Sequence, residues 1–202
     1  MHEAITAKQQ LRRVMLQKRG TIDKSERAVA ANQISLRAKD LAFFIKRAGT
    51  VVAGYWPIAS ELNIISLLYE LQKAGANLCL PTLANKKIMH FRAFAFSELG
   101  KLERGPFGIF GPSNDAAILY PAIILLPLLA CDKKGHRLGY GGGFYDRYIA
   151  SLMEKPLLIG VAFEMQLIDT IMVEPHDKIL DAVLTPNYLL HIQSENIGTR
   201  MF

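Results

Sequence analysis

The stretch Arg137-Leu138-Gly139-Tyr140-Gly141-Gly142-Gly143-Phe144-Tyr145-Asp146-Arg147 holds the densest chemistry of the 202-residue chain. Four of the five positions 139–143 are glycine, which frees the backbone to take positive φ and lets its N–H groups approach an anion closely. A helix expected from Phe144 adds a positive dipole end, and Arg137 adds a full charge. A glycine cluster standing alone is a turn or a flexible loop. With an Arg before it and an Asp within one helical turn after it, the segment becomes a phosphate cradle, and Asp146 is placed to hold a hard cation such as Mg²⁺. The spacing is neither GxxxxGK[ST] nor GxGxxG.

Three further segments carry polar side chains at suggestive positions. In Lys8-Gln9-Gln10-Leu11-Arg12 and the following Arg19, the three cations fall within about 40° of one another on a helix turning about 100° per residue. That line is either a solvated face or a wall for a polyanion. In Tyr55-Trp56-Pro57-Ile58-Ala59-Ser60-Glu61-Leu62-Asn63, Glu61 either complements a helix start or accepts hydrogen bonds from an amino-substituted heterocycle packed on Trp56. Its place at the carboxyl end of a strand favours the second. In Glu174-Pro175-His176-Asp177-Lys178-Ile179-Leu180-Asp181, Asp181 precedes a short strand and is either metal-linked or a surface acid. His176 and Asp177 form a catalytic pair or a polar turn.

These residues need elements to place them. Glu3 to Arg19 and Lys24 to Arg47 are rich in helix formers, with Gly20 as a stop and Asp23 as a cap. Thr50 to Trp56, Asn77 to Leu80, Ile88 to Phe96, Ile123 to Leu129, Leu157 to Phe163 and Ala182 to Leu184 read as strands, with a basic turn at Lys86 and Lys87. Asn63 to Lys73 and Phe144 to Met153 read as helices. Gly100 to Ser113, with four Gly and two Pro, reads as an irregular surface loop. Strands alternating with helices predict an α/β fold, a largely parallel central sheet flanked by helices, in one domain over residues 1–202. Ligands then sit beyond the carboxyl ends of the strands, in the loops after Trp56, Leu80, Leu129 and Phe163.

Composition narrows the class. Half of the residues are hydrophobic, enough for one substantial core. Residues 1–50 hold 11 Lys/Arg against 4 Asp/Glu and the remainder 13 against 14, so the net charge of +6 resides in the N-terminal segment, as suits a small polyanion such as a nucleotide. The start lacks an apolar leader, and the longest charge-free run, Ala116 to Cys131, is short for a bilayer and contains Pro121 and Pro127. Cys79 and Cys131 lack metal or disulfide spacing. A cytoplasmic monomer is expected, with no membrane and no nucleic acid among its partners.

In this order and at these separations, KxxLR at Lys8 to Arg12, the Glu61 segment, Phe107 to Ile109, RLGYGGGFYDRY and the closing HD…D…LTP resemble the 5-formyltetrahydrofolate cyclo-ligase family. The resemblance covers nearly the whole chain. It implies a fold related to the NagB/RpiA/CoA-transferase group, with ATP and 5-formyltetrahydrofolate as substrates and Mg²⁺ as cofactor. It also implies that ATP is bound by Lys8, Gln9, Gln10, Leu11 and Arg12, and is wrapped by Arg137, Leu138, Gly139, Tyr140, Gly141, Gly142, Gly143, Phe144 and Tyr145. Trp56 and Glu61 would contact folate, and Tyr145 would line the junction of the two substrates. Asp146 and Asp181 would serve Mg²⁺, with Arg137, Tyr145 and Asp146 as the catalytic set. Two positions depart from the family pattern: Gly111 stands before Pro112 where many relatives carry an acid, and Gly142 stands where some carry a base.

The implied chemistry runs from attack of the formyl oxygen on the γ-phosphorus of ATP, through an N5-iminium phosphate, to ring closure by N10. Such phosphoryl transfer asks for charge neutralisation and alignment. A sugar-phosphate isomerase or CoA-transferase on a related fold would share the glycine loop without needing ATP. A basic RNA-binding module would use residues 1–50, but the chain carries no RRM, KH or zinc-knuckle pattern.

Overall fold

The structure, a computed structural model, describes residues 2–45, 47–84, 88–174 and 177–192. Lys86, Lys87 and His176 therefore lie outside the described residues. Helix α1 (His2–Gly20) leads into α2 (Lys24–Leu36) across a capping box. Asp23 Oδ1 accepts Glu26 N–H at 2.8 Å, and Glu26 Oε2 accepts Asp23 N–H at 3.2 Å, which satisfies two orphan donors reciprocally. The single helix expected over Lys24 to Arg47 is broken. Ser35 Oγ bonds back to Asn32 O and Arg37 N–H goes to Ile34 O, tightening the last turn. Helix α3 (Ala38–Ala42) resumes after Arg37.

Strand β1 (Val51–Ala53) is shorter than the run of β-formers around it, and α4 (Ile65–Lys73) buries Leu67, Leu68 and Leu71 at helical spacing. A long hairpin follows. Strands β2 (Asn77–Ala84) and β3 (Ile88–Phe94) pair antiparallel from Leu78↔Phe94 to Ala84↔Ile88. The stretch expected to be irregular holds a ribbon of β4 (Glu103–Arg104) and β5 (Phe110–Gly111). Gly111 lets that ribbon lie against β2, since a Cβ there would stand 3.0 Å from Pro81 O.

The chain continues through β6 (Ile118–Leu119), β7 (Ile123–Pro127), β8 (Ala130–Asp132), β9 (Arg137–Leu138), α5 (Phe144–Ala150), β10 (Leu157–Val161), β11 (Leu167–Ile168), β12 (Ala182–Leu184) and β13 (Leu189–His191). The main sheet runs β13-β12-β10-β7-β1-β2-β3-β6. Its five central strands are parallel, while β13, β3 and β6 join antiparallel at the edges. The sheet is thus mixed, with the expected parallel centre. Residues 123–126 of β7 are buried throughout, as a strand covered on both faces must be. One face packs on Ile34, Leu41 and the α4 leucines, the other on Phe91 and Ile149. A second sheet, β11-β8-β9, fixes the approach to the glycine segment. Within it, buried Asp132 accepts the N–H groups of Lys134, His136 and Ile171 as well as His136 Nδ1–H. Among the described residues no helix is long and apolar enough to cross a membrane.

Candidate active site

A cleft of about 610 Å³ opens where the sequence reading placed it, beyond the carboxyl ends of β1, β2 and β7. Its walls come from α1, the loop after β1, the end of β2, the β4–β5 ribbon and the glycine segment. Lys8 and Arg12, one turn apart on α1, both line it. Lys8 is 5 % exposed and its ammonium donates to Glu174 Oε2 at 2.7 Å and to Asp177 Oδ2 at 2.6 Å. Burial pulls the Lys8 pKa down, but the hydrogen bonds and charges of Asp177 and Glu174 outweigh it and hold the value above the ordinary one. Arg12 Nε–H donates to Gly139 O at 3.0 Å, so its guanidinium lies along the glycine loop. The rest of the KxxLR segment faces elsewhere. Gln9 and Gln10 are exposed, and Leu11 packs beside Met15, Leu129 and Leu138.

The glycine segment is held from both ends. Leu138 is buried in β9, and Arg137 gives Nη2–H to Asp146 Oδ1 at 2.6 Å and Nη1–H to Lys178 O at 2.8 Å. The Asp146 carboxylate also accepts Lys178 N–H at 3.3 Å. Between them Gly141 has φ +95° and Gly143 φ +63°, left-handed values that suit glycine. Gly143 is the residue before α5, and a Cβ on it would meet Arg147 Nη1 at 2.7 Å. Residues 137–146 all line the cleft. Phe144 stacks under the Arg147 guanidinium at 5.1 Å and faces Phe107 of the ribbon at 6.2 Å.

Glu61 sits in the β1–α4 loop, four residues before α4 begins, so it is no helix-start acid. Its Oε2 accepts Ile58 N–H at 2.9 Å. Burial raises its pKa above the ordinary value, against the pull of Ile58 N–H, Tyr140 and Arg19. Trp56 lines the same end, edge-on to Phe94 at 6.3 Å. The Tyr145 hydroxyl, which lines the cleft, is pushed up by desolvation and then by the Glu61 charge, so it stays protonated.

Two expectations are corrected. Asp181 does not line the cleft. Its oxygens receive Leu158 N–H at 2.8 Å and Lys155 Nζ at 3.1 Å, fastening the loop before β12 to the start of β10. The acids of that segment which reach the cleft are Glu174 and Asp177. Asp177 reads in the sequence as part of a catalytic pair or a polar turn, whereas nothing in its spacing singles out Glu174. Arg19 shares a helix face with Lys8 and Arg12 but is 1 % exposed and points inward. Sequence reading also passed over the walls formed by Thr82, Leu83 and Met89, and by the ribbon.

The model of the 5-formyltetrahydrofolate cyclo-ligase family matches residues 4–186. A 5-formyltetrahydrofolate cyclo-ligase of Mycolicibacterium smegmatis is 32% identical over 186 residues, covering 89% of this chain and 94% of that protein. The cyclo-ligase of Haemophilus influenzae is 27% identical over 183 residues, covering 88% of this chain and 96% of that protein. Among solved structures, the 5,10-methenyltetrahydrofolate synthetase of Aquifex aeolicus superposes with a TM-score of 0.78 at 25% identity, over 96% of this chain and 97% of that one.

Proposed function

This chain belongs to the 5-formyltetrahydrofolate cyclo-ligase family and catalyses the ATP-dependent cyclisation of 5-formyltetrahydrofolate to 5,10-methenyltetrahydrofolate, and we propose that its cleft does so by aligning the formyl oxygen with the γ-phosphorus of ATP. The observation that carries this reading is one cavity lined both by cations and a glycine loop and by a buried carboxylate and an indole. Lys8, Arg12 and the loop from Arg137 to Tyr145 hold the triphosphate. Glu61 accepts from the N–H groups of the pterin, whose ring packs on Trp56.

The formyl oxygen attacks the γ-phosphorus, ADP leaves, and an N5-iminium phosphate forms. N10 then attacks the activated carbon, gives up its proton, and phosphate departs with the former formyl oxygen. No protein nucleophile is needed. Arg137, clamped by Asp146 and Lys178 O, presents fixed charge to the transferring group. Protonated Tyr145 donates where the two substrates meet.

The acids of the cationic end fit Mg²⁺, which takes few protein carboxylates and completes its shell with water and phosphate oxygens. Asp146 and Asp177 would hold it. Among the described residues no three His, Cys, Asp or Glu cluster to cage an ion by themselves. Bound there, Mg²⁺ neutralises and orients phosphate oxygens.

The test is absorbance of the methenyl product with the purified protein, alongside ADP. Formation of one ADP per methenyl folate, and none without ATP, is expected. Methenyl formation independent of ATP would overturn the proposal.

A further inference from the structure

Arg19 is the largest side chain so fully withdrawn from solvent, and it does not line the cleft. Burying a guanidinium is costly unless every donor is met and its charge is answered. Its Nε–H goes to Ser60 Oγ at 3.0 Å, Nη1–H to Leu128 O at 3.2 Å and Nη2–H to the Tyr140 hydroxyl oxygen at 2.6 Å. The same guanidinium stands 5.6 Å from the centre of the Tyr140 ring. Three segments therefore meet on one cation: the turn carrying Glu61, the end of β7, and the glycine loop.

The hydrogen bonds along this chain have a fixed sense. A guanidinium donates and cannot accept, while a phenol has a single proton. With Arg19 donating to its oxygen, Tyr140 must turn that proton away from the guanidinium, while the Glu61 charge is close enough to act on the phenol. Ser60, the residue before Glu61, accepts from the same guanidinium, so Arg19 itself joins the Glu61 turn to Tyr140. Tyr140 is also the residue between Gly139, whose carbonyl holds Arg12, and left-handed Gly141. One loop residue is consequently tied through Arg19 to the turn carrying Glu61, while its neighbours line the nucleotide end.

We infer that Arg19 is a positioning residue which, through Ser60 and Tyr140, fastens the nucleotide loop to the turn carrying Glu61, so that ATP and folate strengthen each other's binding. The inference rests on the proposed assignment of Glu61 to the pterin and of the glycine loop to ATP. A nucleotide that orders the loop fixes Tyr140 on Arg19 and, through Ser60, the turn that presents Glu61 to the pterin. By linkage, folate must tighten nucleotide binding by the same factor.

Calorimetry on the full chain with Mg²⁺ tests this, using a non-hydrolysable ATP analogue and 5-formyltetrahydrofolate, each titrated alone and with the other saturating. The wild type is expected to show one reciprocal factor, within the roughly 5- to 150-fold usual for coupled sites. In Arg19→Met the factor should fall to near one while the analogue alone binds as before. Tyr140→Phe, which deletes one oxygen and keeps the ring, should abolish the factor too, and decides the matter if Arg19→Met does not fold. Arg19→Lys keeps the charge but not the fork, and should restore the factor in part. A wild-type factor of one, or an undiminished factor in Tyr140→Phe, overturns the inference while leaving the substrate assignment standing. Failure of the wild type to bind either ligand removes the assignment itself and the inference with it.

Discussion

Lys8 and Arg12 stand one turn apart yet meet different partners, two carboxylates in one case and a loop carbonyl in the other. A charge-assisted contact to phosphate is worth about 1.5–3 kcal/mol, so losing either should raise the ATP KM about tenfold or more in steady-state kinetics. Lys8→Ala should be the worse, because it also removes a cation that helps neutralise Glu174 and Asp177 beside the phosphates. Wild-type ATP kinetics in both variants would return α1 to a plain surface helix. Glu61 makes a different demand. Ile58 N–H, Tyr140 and Arg19 pull its pKa down, but burial outweighs them and leaves it above the ordinary 4.5. Folate binding needs the ionised form, so kcat/KM for folate should fall on acidification at a higher pH than an ordinary carboxylate would give, and Glu61→Gln should abolish that limb. Because the folded-state pKa is raised, ionised Glu61 also costs stability, a cost absent at low pH and complete once pH exceeds the folded value. Glu61→Gln should therefore melt no lower than wild type at neutral pH while binding folate poorly. A normal folate titration in that variant would show that the carboxylate has no pterin to meet. The glycine segment was legible in the sequence because its parts are contiguous. The inward turn of Arg19 was not, since a helical wheel gives angle alone, and seven residues at 1.5 Å each carry it about 10 Å along α1 to a different wall.

The elements show the same division. Helix α4 and the central parallel strands follow from apolar spacing, whereas β4, β5, β6, β9 and β11 are two residues each and owe their existence to the strand they lie beside. No periodicity can announce a two-residue strand. The ribbon of β4 and β5 matters because it walls the cleft, and its seat depends on Gly111. A side chain there meets Pro81 O at 3.0 Å and Thr82 Cγ2 at 3.2 Å, so Gly111→Val should lift the ribbon from β2. The expected cost is about 1–3 kcal/mol in denaturant unfolding, together with a raised KM. Unchanged stability and kinetics would mean the ribbon moves freely. Asp181 belongs to this scale as well. Asp181→Ala removes the acceptor for Leu158 N–H and should lower stability by about 1 kcal/mol without altering the Mg²⁺ dependence of the rate. Asp146→Asn should shift that dependence to higher Mg²⁺. The opposite pattern in a Mg²⁺ titration would move the metal to Asp181.

At the scale of the molecule, the basic N-terminal segment is not one patch. Lys8 and Arg12 serve the cleft, Arg19 is sealed beneath it, and Arg37 pairs with Asp40 and bonds to Asn187 O. The charge imbalance visible in the sequence pointed to a polyanion, and the fold brings only part of it to the site, leaving cations such as Arg13, Lys18 and Lys24 exposed. Saturating ligands should stabilise the chain by mass action, about 2.7 kcal/mol for one ligand at a hundred times its Kd. A thermal melt with ATP and Mg²⁺ should therefore shift upward, and less so in Arg12→Ala. The central claim is that the cleft brings the formyl oxygen onto the γ-phosphorus. The most direct measurement is turnover of 5-formyltetrahydrofolate labelled with oxygen-18 in the formyl group, followed by mass analysis of the inorganic phosphate. The account predicts that the label appears in phosphate, one atom per turnover. Label released into water, with unlabelled phosphate, would contradict it.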